Sequence, residues 1–356
     1  MTRDHDYVLW RSAMPYHMVW LATNECNLRC LHCSSDSGHA SPGELQTREV
    51  FDLIDQLADC GVIDLGISGG EPLLRPDLFD IVTYARQKGF TVGVGSNGTS
   101  LSDEKIRKFA ESGISRLQVS LDGFAETHDR LRAHRGVFHL AVDGIRRAIN
   151  AGVPTNACFT VNRLNVGELE QFCLFAADLG IRRLNISRYV PTGRNHGYGL
   201  DLNPSEWGAV IARCLELRCR LRGRLDVVTH LSQRILAEPE LAKIPGFSGC
   251  QAGLGQGCVT ATGDVWPCVL LPVPLGNVRR VPFREIWQTS TVIRNLQNRA
   301  NLKGACGACE VREKCGGCRA VALARTGDYL AADPRSLVCG APQNMLTTVC
   351  TQRRAL

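Results

Sequence analysis

The chain has 356 residues, 44% hydrophobic and 21% charged, proportions that exclude wholesale disorder and a fibrous repeat. Lys and Arg outnumber Asp and Glu by 41 to 35, but no long basic run interleaved with aromatics could track a phosphate backbone, so nucleic acid is not expected as a partner. The 17 cysteines are an odd number in a chain that needs no disulfides to fold, and they point to metal sites in a reducing compartment.

Residues 1–16 read as a charged N-terminal extension without the apolar stretch of a secretory signal, and no apolar run approaches the ~18 residues of a membrane span. A cytoplasmic, non-membrane protein is therefore expected. From residue 17, short β-rich runs alternate about six times with segments of helical periodicity. The strand candidates are Met18–Ala22, Leu65–Ser68, Thr91–Gly95, Leu117–Leu121, Ala157–Val161 and Leu184–Tyr189. Amphipathic stretches lie between them at Thr47–Ala58, Pro76–Gln87, Asp103–Ser112, Leu140–Asn150 and Val166–Leu179, and Gly61, Gly89, Gly113, Gly152 and Gly180 follow as C-terminal caps.

This alternation implies parallel strands joined by right-handed crossovers. Six units fall short of a closed barrel, so residues 17–200 are expected to form an α/β fold, an open partial (β/α)6 barrel with its chemistry at the strand C-terminal ends. Residues 201–245 read as a helical linker with a helix at Ser205–Leu221. Residues 246–345 lose helical periodicity and fill with cysteines, as a loop-rich domain folding around metal would. Residues 346–356 are a tail.

After the first strand comes ECNLRCLHC, with Cys26, Cys30 and Cys33 on one tight loop. Three thiolates can hold three irons of a four-iron cluster and leave the fourth open for reaction. Structural zinc is the alternative; it would want a fourth ligand, for which His32 is the conceivable candidate. The second strand runs into Gly69-Gly70-Glu71-Pro72, the third into Ser96-Asn97-Gly98, and the fourth reads VSLDG with Ser120 and Asp122. Glycine pairs allow close backbone approach to a ligand. Each tripeptide alone is a common turn; their order along successive strand ends carries the weight.

In these residues the chain resembles the radical S-adenosylmethionine (SAM) superfamily. The resemblance implies that SAM chelates the open iron and is cleaved by one electron to a 5′-deoxyadenosyl radical that abstracts hydrogen from substrate. It implies SAM contacts from His32, Gly69, Gly70, Glu71, Ser96, Asn97, Ser120 and Asp122, with Arg132 pairing the SAM carboxylate. His32 stands where the family usually has an aromatic residue. A flavodoxin- or ferredoxin-type reductant is the expected electron donor.

Eight further cysteines fall at Cys250, Cys258, Cys268, Cys306, Cys309, Cys315, Cys318 and Cys339, enough for two fully coordinated four-iron clusters. A zinc ribbon shares the Cys-x2-Cys pairs. The run closely resembles the SPASM extension of radical SAM enzymes. Its crossed pattern implies Cys250, Cys258, Cys268 and Cys318 on a nearer auxiliary cluster, and Cys306, Cys309, Cys315 and Cys339 on a farther one. Three [4Fe–4S] clusters on eleven thiolates would bring the protein close to neutrality. The remaining Cys60, Cys158, Cys173, Cys214, Cys219 and Cys350 suit buried small hydrophobes.

Past the sixth strand, Arg188 and Arg194 bracket a turn where they could clamp a substrate carboxylate, and Tyr189 lies between them. Asp64, His128, His134 and His196 are placed near probable strand ends. At this loop the chain resembles haem-pathway and cytosylglucuronate radical SAM decarboxylases. The resemblance and the short N-terminal extension together imply a carboxylated small-molecule substrate and a decarboxylation in antibiotic or cofactor biosynthesis. A SPASM peptide maturase forming thioether or carbon crosslinks, a sulfatase-maturase-like oxidase and, outside catalysis, an iron–sulfur electron carrier are the alternatives.

Overall fold

The computed structural model describes residues 14–195, 199–229 and 234–334. Seven parallel strands follow in chain order, β1 (His17–Leu21), β2 (Asp64–Ser68), β3 (Thr91–Ser96), β4 (Arg116–Ser120), β5 (Thr155–Val161), β6 (Arg183–Arg188) and β7 (Asp226–Thr229). The crossovers are α1 (Thr47–Asp59), α2 (Leu78–Gln87), α3 (Asp103–Ser112), α4 (Ala125–Arg132) with α5 (Val137–Asn150), α6 (Leu169–Asp178) and α7 (Pro204–Arg220). Helix α1 buries Val50, Leu53, Ile54 and Leu57, the spacing of one helical stripe. Helix α7 starts on a reciprocal capping box in which Asn203 Oδ1 accepts from the Glu206 N–H and Glu206 accepts from the Asn203 N–H, with Pro204 at the first turn.

The strands alternate. Leu117 and Val119 of β4 and Leu184 and Ile186 of β6 enter the core against the helices, while Gln118, Ser120, Asn185 and Ser187 point the other way and are only half-buried. Side chains on that second face reach across an intervening strand. Gln118 of β4 meets Asn185 of β6 at 2.6 Å, and Arg116 of β4 grips Asp64 of β2 at 2.8 and 3.0 Å. Bonds that skip a strand require a concave sheet, which is the interior of an open barrel. Gly93 makes the second bond possible, since a Cβ there would lie 2.5 Å from Arg116 Nε.

The α/β partial barrel is therefore present, with two departures from expectation. The 201–245 segment holds, besides its helix, the strand β7, which pairs in parallel with β6; four residues, DVVT, are too short for periodicity to reveal. The cysteine-rich segment also adds to the barrel's own sheet. Strand β8 (Gln256–Val259) pairs in parallel with β1 and continues through antiparallel β9 (Asp264–Trp266) and β10 (Gly276–Asn277), giving one ten-stranded sheet in the order β10-β9-β8-β1-β2-β3-β4-β5-β6-β7. This covers the edge that β1 would otherwise expose. It also carries Cys258 on a strand hydrogen-bonded to the strand that leads into the three-cysteine loop. Short helices at Phe283–Thr289, Thr291–Gln297 and Arg319–Thr326 complete the C-terminal part. Among the described residues no helix is long and apolar enough to cross a membrane.

Asp64 and His17 begin their strands, so Asp64 belongs to the end of the barrel opposite the strand C-termini, a correction to its placement near the site. Burial alone would raise its pKa, but hydrogen bonds from His17 and Arg116 hold it down at about 2. A depressed carboxylate stabilises the fold above its unfolded value and loses that contribution as pH falls from 3.8 to about 2. At pH 7 the term is fully present, so Asp64→Asn is expected to cost about 2 kcal/mol in a denaturant melt. An unchanged midpoint at constant slope would show that the pair contributes nothing net.

Candidate functional site

The loop after β1 is held in place by the end of β2. Gly70 N–H donates to Thr23 O at 2.7 Å and Glu71 N–H to Glu25 O at 2.8 Å. The contact is so close that a Cβ at Gly70 would sit 2.0 Å from Glu25 O, and one at Gly69, where φ is +135°, 2.5 Å from Thr23 O. The glycine pair is thus explained by backbone packed on backbone at the root of the cysteine loop.

On that loop Cys26, Cys30 and Cys33 pack together with Leu28 and Val137. Each sulfur receives an N–H donor: Leu28 N–H to Cys26 at 3.5 Å, Ser37 N–H to Cys33 at 3.4 Å, and Arg132 Nη1 to Cys30 at 3.7 Å. Burial pushes the Cys26 thiol up to about 11 and raises Cys30 as well. Sulfurs that are costly to ionise, gathered together and each facing a donor, suit a metal centre that deprotonates its ligands and is tuned by N–H···S contacts.

Two polar groups flank the thiols. In the first, the fully buried Glu71 accepts from Ser96 Oγ at 2.9 Å, the Asn97 N–H at 2.7 Å and the Leu73 N–H at 3.2 Å. Burial raises its pKa despite these donors. Asn97 Nδ2 then donates to Asn27 Oδ1 on the cysteine loop at 2.8 Å. In the second, buried Asp122 meets Arg132 Nη2 at 2.5 Å and His32 Nε2 at 3.0 Å, and accepts from the Thr160 N–H at 2.7 Å. Burial would raise the Asp122 pKa, but Arg132 and His32 hold it well below the carboxylate range. Burial pushes His128 down to about 4, leaving it neutral with Nδ1 accepting the Asp122 N–H at 3.0 Å.

The expected SAM contacts thus fall into two networks around one cysteine loop, one on Glu71, Ser96 and Asn97, the other on Asp122, Arg132 and His32. Ser120 ends β4 opposite Cys158 of β5. Arg132 Nε and His32 Nδ1 are buried without a protein hydrogen-bond partner, the signature of groups kept for something the chain does not itself supply.

The two guanidiniums expected to clamp a substrate, Arg188 and Arg194, both have partners inside the protein. Arg188 is buried in a two-point ion pair with Asp333 at 2.7 and 3.2 Å and lies over the Trp207 ring. Arg194 binds Asp36 at 2.9 Å and the carbonyls of Cys30 and Ser37, bracing the cysteine loop. Tyr189 is buried against Leu131 and Leu200. His134 is exposed beside Arg135 O, and His196 lies outside the described residues. Of the cysteines read as core hydrophobes, Cys173 and Cys214 are buried and Cys60 is half-buried. Cys219 is exposed, and Cys158 has its sulfur 3.3 Å from Ser187 Oγ on the concave face; Cys350 is outside the described residues.

In the C-terminal part the thiols form two groups. Cys250, Cys268 and Cys318 share one buried cluster, and Cys258 on β8 is close enough to Cys268 to feel its charge. Gln256 Nε2 and the Leu270 N–H donate to Cys268 Sγ at 3.1 and 3.5 Å. Cys306, Cys309 and Cys315 instead line a separate small pocket with Gly316 and Gly317; Cys339 is outside the described residues. Both groups have the soft sulfur donors and N–H···S contacts that iron–sulfur clusters use. Three residues that local sequence did not single out organise them. Asp333 accepts from the Cys318 N–H at 3.0 Å and donates its own N–H to Cys306 Sγ at 3.3 Å, and Arg299 and Arg319 are fully buried beside them. Nothing in their immediate sequence distinguishes them; only the fold brings them to the thiols.

Comparison with known proteins agrees with this geometry. The profile of the radical SAM superfamily matches residues 20–176, and that of the SPASM iron–sulfur cluster-binding domain matches residues 250–318. Over 334 residues the chain is 37% identical to an AdoMet-dependent heme synthase of Methanosarcina barkeri, covering 90% of this chain and 95% of that one. It is 33% identical to the mycofactocin maturase MftC of Mycobacterium tuberculosis, covering 86% and 78%. Among solved structures, Streptococcus suis SuiB superposes with a TM-score of 0.75 at 15% identity over 91% of this chain and 77% of that one. The structure of anSMEcpe with bound AdoMet gives 0.73 at 17% over 90% and 93%.

Proposed function

The chain belongs to the radical SAM superfamily, with a C-terminal SPASM domain, and we propose that it decarboxylates a carboxylated small molecule of the tetrapyrrole kind. As a family member it binds SAM and a [4Fe–4S] cluster in the barrel and further iron–sulfur clusters in the C-terminal domain, which when bound supply hydrogen abstraction and one-electron transfer. We assign Cys26, Cys30 and Cys33 to the first cluster. Cys250, Cys258, Cys268 and Cys318 are assigned to the nearer auxiliary cluster, and Cys306, Cys309, Cys315 and Cys339 to the farther.

The observation that carries the reading of the site is the joining of the three thiols to the buried Asp122–Arg132–His32 network through Arg132 and Cys30. In this reading Arg132 balances the thiolate of Cys30 and presents its unpartnered Nε to the SAM carboxylate. Asp122 fixes the positions of Arg132 and His32, and Glu71 locks the ends of β2 and β3 beside the cysteine loop. Burial of these groups keeps water from a reactive centre.

The substrate class is supported by the relatives, which include an AdoMet-dependent heme synthase, a pre-heme d1 synthase and an Fe-coproporphyrin III synthase. With Arg188 and Arg194 committed to internal pairs, the carboxylate assignment rests on those relatives and on the neutral polar concave face that Gln118, Asn156, Asn185 and Ser187 provide. The test is an anaerobic reaction of the reconstituted protein with SAM and reductant against carboxylated porphyrins, nucleoside uronic acids and peptides. The expected result is loss of carbon dioxide from a porphyrin with matching 5′-deoxyadenosine. Turnover of the nucleoside acid alone would move the substrate to antibiotic biosynthesis. Modification of a peptide with the small acids untouched would favour maturase chemistry, the reading that the mycofactocin relative supports.

A further inference from the structure

The Cys-Gly-Gly-Cys turn at residues 315–318 joins the two auxiliary thiol groups, since Cys315 stands with Cys306 and Cys309 while Cys318 stands with Cys250 and Cys268. A second junction is made by backbone: the Cys250 N–H donates to Cys315 O at 3.0 Å and the Gly249 N–H to Lys314 O at 2.7 Å. A guanidinium lies against each glycine of the turn. A Cβ at Gly316 would fall 2.5 Å from Arg299 Cζ, and one at Gly317 2.6 Å from Arg319 Nη2.

Arg299 and Arg319 are 1% and 0% exposed, and among the described residues neither has a carboxylate within ion-pair distance. Arg299 Nη2 donates to Cys250 O at 2.6 Å and to Ser248 Oγ at 3.4 Å, while its Nε and Nη1 find no protein acceptor. Arg319 donates to Tyr329 O and Ala331 O, and its Nη2 to Cys306 Sγ at 3.6 Å; its Nε is also unpartnered. Burying two neighbouring cations without anions is strongly unfavourable. The anions at hand are the thiolates, and four of them around a cluster core of roughly +2 leave each site net negative.

We propose that Arg299 is the counter-cation shared by the two auxiliary cluster sites, setting the reduction potentials of both. The proposal rests on the ligand assignment made above. Arg299 donates to the Cys250 carbonyl on one site, and on the other it fills the space where a side chain at Gly316, next to Cys315, would stand. A fixed positive charge beside a cluster favours its reduced form and so raises its potential. The glycines follow from this placement, because any side chain at 316 or 317 would occupy the space of an arginine.

The test is a potentiometric titration, followed by electron paramagnetic resonance, of the full-length protein carrying all its clusters. Cys250→Ala and Cys315→Ala should each remove a different auxiliary signal; if they remove the same one, the ligand assignment itself fails, independently of Arg299. With that settled, Arg299→Met at full iron and sulfide content is expected to move both auxiliary midpoints to more negative potential, and Arg299→Lys to keep them closer to wild type. The barrel cluster, identified by its response to SAM, should not move. Unmoved midpoints, a shift confined to one auxiliary cluster in Arg299→Met, or equal shifts in the Met and Lys variants would overturn the shared-cation role. If Arg299→Met loses auxiliary iron, the lysine variant decides: retained iron with midpoints near wild type supports the role of the charge, and iron loss there as well reduces Arg299 to packing.

Discussion

Replacement of Cys30 by alanine is expected to abolish formation of 5′-deoxyadenosine from SAM while leaving the auxiliary clusters assembled. Cys30 is the most buried of the three barrel thiols and receives the Arg132 guanidinium, which also grips Asp122. Removing its sulfur leaves two of the three thiolates assigned to the first cluster and strips Arg132 of one of its two anions. The auxiliary thiols lie in separate buried groups after residue 249 and are held by their own donors. The expected iron content therefore falls by about one third, one cluster of three, and no 5′-deoxyadenosine accumulates above the enzyme-free control. Turnover by the variant would show that the reactive cluster lies elsewhere. Loss of all the iron would show that the two parts of the chain do not assemble independently.

The second large effect is expected at Asp333. Its carboxylate pairs with Arg188 at the end of β6, both side chains being almost completely buried, and accepts the Cys318 N–H at 3.0 Å. Its backbone N–H reaches Cys306 Sγ. One residue thus ties the barrel to the loops carrying Cys318 and Cys306, one from each thiol group. Asp333→Asn takes the charge from a buried pair, a loss of about 3–5 kcal/mol, which for a domain of this size lowers the melting temperature by roughly 10 °C. The Trp207 ring over Arg188 is no substitute for a carboxylate. An anaerobic thermal melt of Asp333→Asn, Arg188→Met and the double variant checks this. The double variant is expected to lose less than the sum of the singles, because each single leaves a buried charge without its opposite. Strict additivity would mean that the pair is not coupled.

Both predictions join features read from sequence to features visible only in the fold. The cysteine loop, the GGEP turn and the Asn-Gly and Asp-Gly strand ends were legible because each is a short local motif whose spacing is imposed by one loop and one ligand. The strand and helix alternation was legible for the same reason, since Leu117 and Val119, or Val50, Leu53, Ile54 and Leu57, declare their faces within a few residues. The roles of Arg188 and Arg194 were not. A guanidinium on a Gly/Pro turn reads as a free clamp until Asp333, 145 residues away, and Asp36, 158 residues away, are seen to occupy it. Strand β7 was missed because four residues carry no period, and β8 because its partner, β1, lies more than two hundred residues earlier.

By itself the sequence determined the class of the fold, the thiols available to iron and the family of the chemistry. These depend on residue type and local spacing, which the linear chain states directly. Only the tertiary structure decided that the cysteine-rich segment extends the barrel's sheet, and that Arg188, Arg299, Arg319 and Asp333 are buried charges of that region. Charge pairing acts through space, and its strength is set by burial and distance. A sequence lists the charges but not which of them fold away from water together.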